Sequence, residues 1–128
     1  LAAGIFKDLS YQSNEDDWTI LHGDLHHGNI LQSTNERWLA IDPKGVLGPK
    51  EYEFGCFIRN PITQIIKEIN LKDLIAARVS LFSGMTGHDS KLLNLWSFSQ
   101  AVLAAIWMIE DKNPQWQDFL QIAQAHNV

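Results

Sequence analysis

A chain of 128 residues, 45 % of them hydrophobic, has material for one domain with a real core and too little length for two comfortable ones. That composition excludes a disordered chain, and a formal net charge of −5 disfavours a nucleic-acid-binding surface. The single cysteine, Cys56, excludes an internal disulfide framework and fits a reducing, cytoplasmic setting; among Gly55, Phe57 and Ile58 it reads as a buried, inert thiol.

The chain starts at Leu1, without the basic region and long apolar core of a signal peptide. Leu1, Ile5, Phe6 and Leu9 fall at helical spacing, the end of an amphipathic helix. Polar Ser10 to Asp17 predicts a loop, and Trp18-Thr19-Ile20-Leu21 a short strand. Ile30-Leu31-Gln32 and Trp38-Leu39-Ala40-Ile41 predict the two strands of a small hairpin, with Ser33 to Arg37 as its polar turn. Asp42 to Lys50, with two Gly and two Pro, predicts a loop. Glu51 to Ile58 predicts a helix with acidic residues in its first turn, interrupted at Arg59-Asn60-Pro61.

Beyond Pro61 the pattern is helical. Ile62, Ile65, Ile66 and Ile69 predict one helix, ended by Asn70; Leu71 to Phe82 predicts the next. Ser83 to Ser90 predicts a loop, with a helix cap at Asp89 or Ser90 and His88 at the surface. Lys91 to Glu110 is long and apolar enough to approach a membrane span, but Lys91, Asn94, Ser97, Ser99 and Gln100 interrupt it. A central buried helix, with no membrane partner, is the expectation. Asp111 to Pro114 breaks the chain before a last amphipathic helix, Trp116 to His126. The sum is an α+β fold, mainly helical, read as one domain over residues 1–128.

The chemistry gathers at His22-Gly23-Asp24-Leu25-His26-His27-Gly28-Asn29 and at Asp42-Pro43-Lys44-Gly45. Asp24 and Asp42 each follow a short apolar segment. Asn29 and Asp42 supply the hard oxygens that Mg²⁺ prefers beside water and substrate phosphates. Asp24 is then free to orient or deprotonate a hydroxyl. Lys44 either meets a phosphate or is simply solvated. Together these parts suit phosphoryl transfer, in which positioning and charge neutralisation do most of the catalysis.

On these residues the sequence resembles the aminoglycoside phosphotransferases, small-molecule kinases with a protein-kinase-like fold. The fuller strings His22 to Leu31 and Ile41-Asp42-Pro43-Lys44-Gly45 look most like the streptomycin/hydroxyurea branch. The resemblance is dense from Leu21 to Pro61 and loose elsewhere. It implies Asp24 as catalytic base, Asn29 and Asp42 as Mg²⁺ ligands at the ATP phosphates, and His22 as a brace for the loop. Where the family often carries an Asp that fixes the loop, this chain has Glu53. The resemblance further implies an antibiotic-resistance kinase acting on a hydroxyl of a small molecule, an aminoglycoside such as streptomycin, for which an acidic protein is a compatible partner. Glu53, Glu110 and Asp111 are acidic candidates for acceptor recognition. A kinase of this type also needs an N-terminal nucleotide lobe, and only 21 residues precede His22. The chain is therefore expected to be the C-terminal lobe, with the other lobe in cis or on a partner chain.

Two rival readings use the same residues. One is a non-catalytic or truncated kinase-like module. The other is a metal-dependent phosphohydrolase, in which His22, Asp24, His26, His27 and Asp42 form a metal cluster. Against it, Asn29 is followed by Ile30 rather than His, and adjacent His26 and His27 tend to point apart.

Overall fold

The computed structural model describes residues 2–12 and 14–128. Leu1 and the side chain of Phe6, part of the first apolar stripe, lie outside the described residues. Helix α1 spans Ala2–Gln12, longer than its apolar pattern, and buries Leu9. The polar stretch behind it is not all loop: a 3-10 turn covers Glu15–Asp17, capped by Asn14, whose side chain accepts the Asp16 N–H at 3.3 Å. The short polar side chain that weakens a helix interior is the one that satisfies a helix start.

Four three-residue strands follow, in two antiparallel pairs. Strand β1 (Thr19–Leu21) pairs with β4 (Val46–Gly48), and β2 (Ile30–Gln32) pairs with β3 (Trp38–Ala40). The β2–β3 hairpin was legible in the sequence. Strand β4 was not, because it sits in the Gly- and Pro-rich stretch expected to be a loop. It forms because Val46 and Leu47 can zip along β1, with Leu21 opposite Val46. Leu21 and Gly48 are buried while the Ile20–Leu47 pair faces outward, as the two-residue period of a strand requires.

Helix α2 (Tyr52–Ile58) ends at Arg59, and a cis Asn60–Pro61 bond precedes α3 (Ile62–Ile65). The sequence predicted a helix running to Ile69, but α3 stops after one turn and Ile69 is fully exposed. With only Ile62 and Ile65 buried, one turn is all the apolar stripe needed. Helix α4 (Leu71–Thr86) is longer than predicted: it runs through Gly84 and ends at Gly87, whose φ of 76° allows the left-handed stop. Asp89 caps α5 (Ser90–Glu110), accepting the Leu92 N–H at 2.8 Å. His88, expected at the surface, is instead half-buried. Its Nδ1 lies 2.9 Å from Glu51 Oε1 and its ring lies against Phe54.

Helix α5 is the axis of the molecule, packed against α1, α2, α4 and α6 (Trp116–Ala125). Among the described residues it alone is long and apolar enough to cross a membrane; its Leu93, Trp96, Ala101, Ala104 and Ala105 are buried against neighbouring helices. Small side chains on one stripe let those helices approach closely, and Leu93, Ile58, Ile75 and Ile122 fill the space between them. Among the described residues, Arg59 Nε and Ser99 Oγ are buried without a hydrogen-bond partner, whereas the polar group entering the core behind α6 is matched. His126, just beyond α6, donates from Nδ1 to Asn94 Oδ1 at 2.8 Å, while its Nε2 faces Ser97 Oγ at 3.3 Å. Burial pushes the His126 pKa down to about 4.

Candidate active site

Strand β1 delivers the polar loop. Its last residue, Leu21, is anchored in the core, so His22 emerges at a fixed point. Gly23 follows with a φ of 77°, and a Cβ there would meet Val46 Cγ2 at 2.7 Å. Both the backbone and the neighbouring strand therefore require glycine.

His22 ties the loop to the second motif. Its Nε2 lies 2.7 Å from the Ile41 carbonyl, and its Nδ1 lies 3.3 Å from the Asp24 N–H. One nitrogen must donate and the other accept, which assigns the Nε2–H tautomer. The His22 carbonyl in turn accepts the Lys44 N–H at 2.8 Å. Asp42 is thus bracketed. Ile41 before it bonds His22 through its carbonyl and Asn29 through its N–H, at 2.9 Å. Asp42 itself is exposed and has a φ of 55°, in the left-handed region that Asp tolerates better than most residues.

Helix α2 closes the loop from the other side. The Glu53 carboxylate accepts the His22 N–H at 2.6 Å and the Gly23 N–H at 3.1 Å. One turn further along α2, the Cys56 thiol donates to Asp24 Oδ1 at 3.3 Å. The other oxygen, Oδ2, lies 3.2 Å from Lys44 Nζ. Partial burial acts to raise the Asp24 pKa, but the Cys56 and Lys44 bonds and the nearby positive charge outweigh it and hold the carboxyl below its ordinary value. Burial pushes the thiol of Cys56 up to about 11, so it stays a donor.

Asn29 is buried, and its Nδ2 donates to the Asp24 carbonyl at 2.9 Å. That bond fixes the plane of the amide and turns Oδ1 to the opposite side. A buried amide oxygen and an exposed carboxylate are hard donors, and with phosphate and water oxygens they fit Mg²⁺. They fit a zinc or iron cluster poorly. Among the described residues no three His, Cys, Asp or Glu side chains converge on one point. Both nitrogens of His22 face protein groups, His26 Nδ1 accepts the Gly28 N–H at 3.0 Å, and His27 stacks on Phe57 with ring centroids 4.0 Å apart. The phosphohydrolase reading, which needed these histidines as ligands, is not supported.

The two motifs read in the sequence are therefore brought together around His22, Asp24, Asn29 and Ile41–Asp42, with Glu53 beneath them. Of the acidic acceptor candidates, Glu53 is occupied by loop backbone, while Glu110 and Asp111 are exposed at the C-terminal end of α5. Sequence reasoning missed two contacts to Asp24. Lys44 was weighed as a phosphate or solvent partner and pairs with the carboxylate instead. Cys56 was read as inert and donates to it.

A family profile described as aminoglycoside/hydroxyurea antibiotic resistance kinase matches residues 2–112. Streptomycin 3''-kinase of Klebsiella pneumoniae is 36 % identical over 93 residues, covering 71 % of this chain and 35 % of that protein. Streptomycin 6-kinase of Streptomyces glaucescens is 29 % identical, covering 72 % of this chain and 30 % of that protein. Hydroxyurea phosphotransferase of Kitasatospora aureofaciens is 30 % identical, covering 72 % and 25 %. The chain thus matches about a third or less of the length of these relatives. No solved structure matches it. With the loop, the paired motif and the matched 111 residues all in agreement, the chain belongs to the aminoglycoside/hydroxyurea antibiotic resistance kinase family.

Proposed function

We propose that this chain is the C-terminal lobe, a single domain, of a cytoplasmic ATP-dependent O-phosphotransferase with a protein-kinase-like fold. Its acceptor is a hydroxyl of a cationic small molecule of the streptomycin type. The observation that carries this reading is the two-sided grip on Asp24: backbone fixed through His22 and Asn29, carboxylate held by Cys56 and Lys44.

Asp24 stays ionised under ordinary conditions and accepts the proton of the acceptor hydroxyl as phosphorus is attacked. A carboxylate within hydrogen-bond reach of that hydroxyl contributes about 10²–10⁴-fold to such a step. Asn29 and Asp42 hold Mg²⁺, which neutralises charge on the nucleotide phosphates when bound. Lys44, largely exposed, stands where the acceptor must approach Asp24. The nucleotide base and the rest of the phosphate cradle require the N-terminal lobe, in cis or from a partner chain.

Calorimetric titration of the chain with ATP, with and without Mg²⁺, tests the metal half of this reading. Mg²⁺-dependent heat that is lost in Asp42→Ala is expected. Metal-dependent binding that survives the substitution would reject Asp42 as a ligand.

A further inference from the structure

The thiol of Cys56 stands outside everything the resemblance implies, yet it touches the residue at the centre of the site. It is 2 % exposed, and its Sγ lies 3.3 Å from Asp24 Oδ1. A carboxylate on a loop has free rotation about its side-chain bonds unless something holds it. Lys44 is a poor holder: its ammonium group is exposed, and solvent screens an exposed pair of this kind. The thiol differs, because it is delivered by a helix packed tightly on α5. Gly55, beside it, packs so closely on α5 that a Cβ would lie 2.7 Å from Gln100 Cδ. The Gln100 amide grips both ends of α2. Its Nε2 donates to the Tyr52 carbonyl, and its Oε1 accepts from Arg59 at 2.8 Å. Glu53, on the same helix, holds the loop backbone. One helix therefore fixes both the main chain of the loop and the side chain it presents.

We propose that Cys56 is a positioning residue, whose S–H···O bond to Oδ1 selects a single rotamer of Asp24 and leaves Oδ2 to face the acceptor. A thiol suits this task. It is a neutral donor that engages Oδ1 alone, while Oδ2 stays on the open side beside Lys44. The catalytic purpose of that rotamer rests on the phosphotransferase reading above; the rotamer selection itself does not.

Because Cys56 is the chain's one cysteine, its S–H stretching band in the infrared spectrum is unambiguous. In the unaltered chain the band is expected below the free-thiol position, and in Asp24→Ala it is expected to return toward it. Independently, three-bond couplings from the Asp24 carbonyl carbon and amide nitrogen to Cγ report the rotamer. A single rotamer is expected in the unaltered chain and in Cys56→Ser, which keeps a donor. An averaged pattern is expected in Cys56→Ala, with amide shifts elsewhere retained. A free-thiol band in the unaltered chain, or one unchanged rotamer in Cys56→Ala, would overturn the proposal. The infrared measurement decides the bond even where Cys56→Ala does not fold. A selected rotamer in a protein that transfers no phosphate would sink the functional reading and leave the positioning intact.

Discussion

Glu53 accepts the backbone N–H of His22 across thirty-one residues of sequence, at 2.6 Å, and the N–H of Gly23 beside it. A carboxylate accepting two main-chain donors fixes a loop that has no regular structure of its own. Removing it strands two half-buried N–H groups, each costing about 1–3 kcal/mol when left without a partner. Glu53→Ala is therefore expected to lower the urea midpoint and to speed amide hydrogen exchange at His22 and Gly23. Glu53→Gln, which keeps one acceptor, should fall between. Unchanged exchange at these amides in Glu53→Ala would mean that the bonds do not hold the loop.

Gly55 and Gln100 form the contact that seats α2. Gly55→Ala forces the Gln100 side chain to move, and moving it disturbs its bonds to Arg59 and Tyr52. A cost of about 1–3 kcal/mol is expected from such overpacking. Chemical denaturation reads it. Adding Gln100→Ala to Gly55→Ala should remove the clash, so the double variant loses less than the sum of the singles.

Asp42 carries a φ of 55° on an exposed loop, where glycine would sit without strain. Asp42→Gly is expected to leave stability unchanged or raise it by up to about 1 kcal/mol. The same change should abolish Mg²⁺-dependent nucleotide binding. A variant that is destabilised while its metal dependence persists would show that Asp42 serves the fold rather than the site.

His126 makes stability depend on pH. Folding pushes its pKa from the ordinary 6.5 down to about 4 because the imidazole is buried beside Asn94 and Ser97. In this range the unfolded chain binds the proton more readily, so stability rises with pH. The contribution is fully present above pH 6.5 and is lost as pH falls toward 4, a loss of about 3 kcal/mol. Urea midpoints at pH 7 and pH 4.5 should differ more in the natural chain than in His126→Gln. Equal differences would assign the acid sensitivity to other groups.

Much of this molecule was legible before its structure. The β2–β3 hairpin, α2, the cap at Asp89, α5 and α6 follow from apolar period and cap chemistry, which are local. Several of the misses have one cause in common: they depend on partners distant in sequence. Strand β4 exists only because β1 lies beside it, and Val46-Leu47 alone did not outweigh the glycines and prolines around them. Ile69 had helical spacing but found no surface to bury against. His88 read as a loop residue, and Glu51 drew it inward. At the site, residue types announced Asp24, Asn29 and Asp42 through spacing. The contacts of Cys56 and Lys44 with Asp24 are tertiary, and no spacing within either segment encodes them.

The central claim is that Asp24 accepts a proton during phosphoryl transfer to a hydroxyl. The measurement that tests it most directly is transfer of labelled γ-phosphate from ATP to streptomycin and to hydroxyurea, by this chain together with the N-terminal lobe proposed above and by the same assembly carrying Asp24→Asn. The account predicts transfer to at least one acceptor and a loss of about 10²-fold or more in Asp24→Asn, with the fold intact. A variant that keeps its rate, or an assembly that phosphorylates neither compound, would contradict it.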